Sequence, residues 1–214
     1  MNPFLFHTAS KKDFISMTAS NNRSSEYDID PLFLDRWSPR AFSGEAMSKE
    51  ALFAILEAGH WAPSAFNMQP WRFVYALKGD AHFDTLLGGL IEFNQGWAKN
   101  ASALVYVVSD TLSRPADGSA PKPSRSHSFD AGAAWGYMAL QAVKSGYYAH
   151  AMTGVDFDKA SSVLGVPGEY RIEAAVAIGK LGDKSVLPEG LQAREVPNNR
   201  KPLAEVAFEG KFKA

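Results

Sequence analysis

Ala62-Pro63-Ser64-Ala65-Phe66-Asn67-Met68-Gln69-Pro70-Trp71 is the stretch from which the fold reads outward. Upstream, Leu52, Ile55, Leu56 and Gly59 recur at helical spacing. Ser48 is an N-cap, with Glu50 in the first turn where the helix dipole favours it, so a helix is expected from about Ser48 to His60. Downstream, Trp71-Arg72-Phe73-Val74-Tyr75-Ala76-Leu77 is aromatic and β-branched and reads as a strand. The ten residues are therefore a helix-to-strand connection. Pro63 and Pro70 fix φ and withhold an N–H at each end. Between them Ser64, Asn67 and Gln69 can both donate and accept hydrogen bonds. A stiff loop carrying amides suits recognition of a planar polar ring system. An ordinary connection has much the same composition, and the loop alone leaves the two readings level.

The pattern continues along the chain. Asp80 to Leu90 is helical in spacing but weakened by Gly88-Gly89, and Ile91 to Lys99 is a short helical or irregular piece. Ala103 to Val108 is a nearly continuous apolar strand that suits the middle of a sheet. Residues 111–127, rich in Pro and Ser, read as a long mobile loop of the kind that forms lids. Ser128 to Ser145 is the longest helix. Its Ala and Gly content predicts close packing on both sides, and Gly146 ends it. A short strand over Tyr147 to Met152, a helix over Asp156 to Leu164 capped by Asp156, and a strand over Ile172 to Gly179 follow. The tail carries Pro188, Pro197 and Pro202. Its Leu203–Phe208 piece is a candidate edge strand, on another subunit if not on this one. Residues 1–26 are expected to form a flexible N-terminal arm and residues 27–214 a single domain. Strands separated by helices point to an α/β or α+β sandwich.

Composition narrows the function. The 214 residues are 46% hydrophobic and 21% charged with a formal net charge of −1, so no global field points to nucleic acid or an anionic membrane. Cysteine is absent, which excludes disulfides, a thiol nucleophile and thiolate-bound metals, and fits a reducing cytoplasm. No apolar run approaches the ~20 residues of a membrane span, and Lys11, Lys12 and Asp13 interrupt any signal-peptide core. No dinucleotide fingerprint, Walker-type loop, zinc-binding H-E-x-x-H or G-x-S-x-G elbow is present. His60 and His150 are expected to be buried structural residues.

Four groups remain that could carry chemistry. Arg36-x-Ser38-x-Arg40 places two guanidinium groups and a hydroxyl on one side of an extended stretch, a compact phosphate cradle, although surface arginines are the commoner explanation of such spacing. Arg200-Lys201 in the tail could add cations. Thr153-Gly154 follows a strand, and its glycine permits close backbone approach to a ligand, or simply a turn. Asn94, in Phe93-Asn94-Gln95-Gly96-Trp97, could bond a ring edge, while Trp97 fits the core.

Taken together, Arg36-Trp37-Ser38-Pro39-Arg40-Ala41-Phe42 and Ala62 to Phe73 resemble the FMN-dependent nitroreductase family, and Asn94, the Asp130–Ser145 helix, Thr153-Gly154, the Ile172–Gly179 strand and Arg200 follow in the matching order. The resemblance runs over about residues 30–210. It implies an α+β sandwich, with a central mixed, mainly antiparallel sheet flanked by helices, in an intertwined cytoplasmic homodimer with an extended C-terminal arm. It implies FMN held at the dimer interface. Arg36, Ser38, Arg40 and Arg200 would hold the phosphate. Pro63, Ser64, Ala65, Asn67 and Gln69 would reach the flavin from the partner subunit. Asn94 would meet the ring edge, and Thr153 and Gly154 would face N5. The implied reaction takes hydride from NAD(P)H to a nitroaromatic or quinone, with the chemistry on the flavin and no catalytic side chain. One departure stands out: Trp97 occupies a place where many members carry lysine. Dehalogenation, flavin fragmentation, azoline oxidation, a silent flavin binder and a structural dimerisation module remain as alternatives.

Overall fold

The structure, a computed structural model, describes residues 21–115 and 117–213. Most of the arm expected over residues 1–26 thus lies outside the described residues. Two compact units are present. One is Arg36–Val196 and the other combines residues 21–35 with 197–213.

The second unit contains the short helix α1 (Leu32–Asp35), whose last turn is bonded to the segment before it. Asn21 Nδ2 and Arg23 Nη1 both donate to the Leu34 carbonyl, at 3.1 and 3.0 Å. The expected edge strand at Leu203–Phe208 is instead a 3-10 turn over Leu203–Glu205, whose first N–H donates to Glu26 Oε1 at 3.2 Å. Pro202 withholds the N–H that a ladder would need there.

The larger unit begins with α2 (Lys49–His60) and β1 (Trp71–Leu77), as the periodicity predicts, and Ser48 Oγ accepts the Ala51 N–H at 3.1 Å. Next come α3 (Phe83–Gly88), α4 (Glu92–Ala98) and β2 (Ala103–Asp110). The pair β3 (Leu112–Ser113) and β4 (Lys122–Pro123) precedes α5 (His127–Lys144), β5 (Tyr148–Met152) and α6 (Phe157–Leu164). β6 (Tyr170–Gly179) and the short α7 (Glu189–Gln192) complete it. The sheet order is β1-β2-β6-β5, and every pairing is antiparallel, so the mixed character expected of the sheet has no parallel pair among the described residues.

Every residue of β2 is buried, which explains its unbroken apolar run. Alternation sends Leu104, Tyr106 and Val108 to one face, against α3, α4 and α6. Ala103, Val105 and Val107 face the other, against α2 and α5. Helices thus cover both faces. α5 departs from expectation. It buries Ala131, Ala134, Met138 and Ala142, but Phe129 is 81% exposed and Tyr137 45%, so within one chain only one of its sides is packed. The expected mobile lid is also tethered. Thr111 donates to Glu169 O at 2.9 Å through its N–H, Arg114 Nε meets Asp110 Oδ2 at 2.6 Å, and the β3–β4 pair closes the loop on itself. Burial pushes the Asp110 carboxyl up, but the bonds from Arg114 and the Leu112 N–H outweigh it and hold the group below the usual carboxylate range. No described helix is long and apolar enough to cross a membrane.

Candidate functional site

The 36–41 segment is irregular, with a bend at Arg40, where Phe42 N–H returns to Arg40 O at 3.1 Å. Arg36 Nη1 lies 3.4 Å from Ser38 Oγ, and Arg36, Ser38 and Arg40 are all half-buried. Two groups hold the backbone between them. His150 Nδ1, on β5, is 2.9 Å from Pro39 O; a carbonyl only accepts, so Nδ1 carries the proton. Glu195 Oε1 accepts the N–H groups of Arg40 and Ala41 at 2.6 and 2.7 Å. Burial lowers the His150 pKa, with Arg40 adding to the effect, against the opposing influence of the Pro39 carbonyl and Glu195. The neutral ring is therefore favoured. His60, by contrast, is exposed, which corrects the expectation that it is buried.

From β5 the chain turns at Thr153-Gly154-Val155, where Val155 N–H returns to Thr153 O at 2.9 Å. Gly154 O accepts from Ile91 N at 3.1 Å and from Asn94 Nδ2 at 3.0 Å. Asn94 Oδ1 accepts from Trp97 Nε1 at 3.2 Å. The Trp97 ring lies 4.8 Å from that of His150 and 6.3 Å from Phe42. Gly154, Asn94, Trp97, His150 and Pro39 thus form one run of contacts that ends at the arginine segment. Asn94 retains one N–H and one lone pair for a ligand. The half-buried Gly154 N–H donates to no group among the described residues. Trp97, 2% exposed, belongs to the core.

The 63–69 loop is a separate group. The loop, whose 3-10 turn spans Ala65–Asn67, carries three non-glycine residues with left-handed backbone, Phe66, Asn67 and Gln69, at φ 52°, 54° and 47°. Asparagine adopts this region readily and phenylalanine does not, so the loop is strained and held from outside. Ser64 Oγ accepts Gln69 N–H at 3.0 Å, and Gln69 Nε2 donates to Asn67 O at 3.0 Å. Asp130 Oδ2, in the first turn of α5, accepts Ala65 N–H at 3.3 Å and Ser126 Oγ at 2.9 Å. Phe66 is 94% exposed. Among the described residues no hydrogen bond or ring contact joins this loop to Asn94, Gly154 or the arginine segment. Arg200 lies in the other unit, where its guanidinium meets the carbonyls of Asn198 and Asn199 at 3.4 and 3.2 Å.

A sequence model of the nitroreductase family matches residues 34–88 and 89–180. The chain belongs to the nitroreductase family. An oxidoreductase containing FMN has a solved structure that is 56% identical, with a TM-score of 0.88, over 92% of this chain and 99% of that one. A nitroreductase-type structure from Desulfovibrio desulfuricans in complex with FMN is 27% identical, with a TM-score of 0.65, over 87% of this chain and all of that one. The CLA biosynthesis enone reductase of Lactiplantibacillus plantarum is 26% identical over 72% of this chain and 85% of its own length.

Three features of this nitroreductase-family site escape the sequence. Glu195 is separated from Arg40 by 155 positions and follows no motif. Asp130 looks like an ordinary acidic residue in a helix's first turn, and only the loop above it reveals its use. Glu173 is the extra residue of a β-bulge, because Val107 pairs with Ala174 and Val108 with Ile172. The bulge turns its carboxylate to Ser109 Oγ and Ser128 Oγ, at 2.6 and 2.8 Å, beside His127. This half-buried network ties β2 and β6 to the start of α5, which in turn carries the loop anchor Asp130.

Proposed function

We propose that the chain is an FMN-dependent oxidoreductase that takes hydride from NADH or NADPH and delivers it to a small acceptor such as a nitroaromatic or quinone. The single observation that carries this is the run from the Gly154 N–H, which has no partner among the described residues, through Asn94 to the Arg36-Ser38-Arg40 segment. It offers ring-edge donors at one end and cations with a hydroxyl at the other. The two FMN-containing relatives support the same cofactor. Bound FMN supplies the redox chemistry through N5, and the chain supplies binding, orientation and electrostatics. Arg36, Ser38 and Arg40 neutralise and orient the phosphate, at roughly 1.5–3 kcal/mol for each charge-assisted contact. The family resemblance adds Arg200 as a further cation. Asn94 would spend its remaining donor and acceptor on the ring edge, and Thr153 and the Gly154 N–H would meet the flavin at N5.

Pro63, Ser64, Ala65, Asn67 and Gln69 close the site from the partner subunit of a homodimer. Their separation from the rest of the site within one chain supports this, as does the exposed side of α5. Gln69 turns its amide back to Asn67 O, so its part is to hold the loop's shape. The absence of cysteine fits a reducing cytoplasm, and residues 27–214 would act as one FMN-binding domain behind an N-terminal arm. The test is an absorbance spectrum of the purified protein before and after anaerobic NADH or NADPH, followed by nitroaromatic, quinone and enone acceptors. A flavin spectrum that bleaches and recovers with an acceptor is expected. A flavin that neither donor bleaches overturns the reductase, and failure to take up added FMN overturns the cofactor.

A further inference from the structure

Glu195 sits beneath the phosphate-side segment with its side chain only 3% exposed. One oxygen, Oε1, takes the consecutive N–H groups of Arg40 and Ala41. The other, Oε2, has no hydrogen-bond partner among the described residues and faces Arg40 Nη1 at 4.0 Å. On the neighbouring peptide, His150 holds Pro39 O. The backbone from Pro39 to Ala41 is therefore fixed at three polar atoms, and the Arg40 guanidinium faces the same carboxylate at 4.0 Å. The carboxylate also consumes two adjacent N–H groups that would otherwise serve as the segment's own anion site. A phosphate arriving here must then be met by side chains, and their aim depends on the backbone that Glu195 fixes.

Taking FMN as the cofactor, as proposed above, we infer that Glu195 is a positioning residue for the cofactor phosphate. By holding the Arg40 and Ala41 amides, and with them the backbone that aims the Arg40 guanidinium, it makes the site select a phosphorylated flavin over the unphosphorylated one.

The experiment titrates the full-length apoprotein with FMN and with riboflavin by flavin fluorescence, in wild type, Glu195→Asp, Glu195→Gln and Glu195→Ala, with thermal melts as a check of folding. Aspartate keeps the charge and shortens the reach, whereas glutamine keeps the reach and an accepting oxygen but loses the charge. The Asp and Ala variants are expected to lose about tenfold in FMN affinity relative to riboflavin, equivalent to the loss of one charge-assisted contact. The Gln variant is expected to keep the wild-type ratio within about threefold on the same scale. If Ala does not fold, Asp and Gln decide the matter. An unchanged FMN-to-riboflavin ratio in Asp makes Glu195 a structural tie only and overturns the inference. So does a ratio that moves in Gln and not in Asp, which would mark a purely electrostatic role. Wild-type protein that binds neither flavin, or both equally, overturns the FMN assignment itself, a result distinct from a discriminating wild type with an equally discriminating Asp variant.

Discussion

Replacing Gly154 with alanine adds one methyl group at the point where three parts of the site meet. Built on the existing backbone, the new Cβ collides with Asn94 Nδ2 and lies 3.0 and 3.2 Å from Ile91 Cδ1 and Cγ1. Ile91 is 43% exposed and its side chain can move aside. Asn94 cannot yield so easily, because its amide joins Gly154 O to the buried Trp97 Nε1. Overpacking of this kind costs about 1–3 kcal/mol. Displacing Asn94 forfeits a further hydrogen bond of about 1 kcal/mol and strains the one to the indole. The expected destabilisation is therefore roughly 2–4 kcal/mol, or about 4–16 °C in Tm for a chain of this size. Urea unfolding followed by tryptophan fluorescence measures it. The double variant Gly154→Ala/Asn94→Ala separates the collision from other effects. With the amide gone the methyl group has room, so the double variant should be about 1–2 kcal/mol more stable than the two single effects summed. Additivity within about 0.5 kcal/mol, or a Gly154→Ala protein as stable as wild type, would refute the collision.

Arg36→Ala and Arg40→Ala are each expected to weaken FMN binding about 10- to 100-fold, the equivalent of one charge-assisted phosphate contact, with riboflavin binding little altered; unchanged FMN affinity in a fluorescence titration refutes the phosphate role. Trp97→Lys introduces the residue that the family resemblance suggests at this place but puts an ammonium into a core position beside Phe42 and His150. It should therefore lower Tm sharply, with a loss of about 3–5 kcal/mol, before any change of flavin potential can be read; a normal melt would refute the buried placement. His150 has a folded pKa depressed below its ordinary value of 6.5. The folded state thus takes up the proton less readily than the unfolded state. Its contribution to stability is full above about pH 6.5 and is lost as the pH falls through the depressed folded value, with a slope of at most about 1.4 kcal/mol per pH unit. Urea midpoints for wild type should drop over that window, and those for His150→Phe should drop less; equal pH slopes refute the assignment.

Local pattern made much of the fold legible. The Ser48 cap and the Leu52-Ile55-Leu56-Gly59 face define α2 to within a residue, and the aromatic-rich run defines β1 from Trp71 to Leu77. The unbroken apolar run of β2 signals burial on both faces, and the structure places it between β1 and β6. These are short-range effects: propensity, capping and periodicity act over a few residues and are written in the order of side chains. The arginine segment, Asn94 and Gly154 are likewise visible as residue types at suggestive spacings.

Tertiary structure decided what those residues touch. No pattern near Glu195 says that its carboxylate folds under Arg40, because hydrogen bonds across 155 positions depend on how the whole sheet stacks its helices. The bulge at Glu173 cannot be read from a strand whose neighbours alternate normally until the partner strand supplies the register. Leu203–Glu205 is apolar enough for a strand, yet it forms a turn, since a strand needs a neighbouring edge and not only a propensity. Trp97 is the sharpest case. The sequence by itself determined that a tryptophan stands at 97, in a stretch that suits the core, and the packing against His150 and Phe42 decided where in the core it sits. Burial is a property of the assembled layers, and no single stretch of chain contains it.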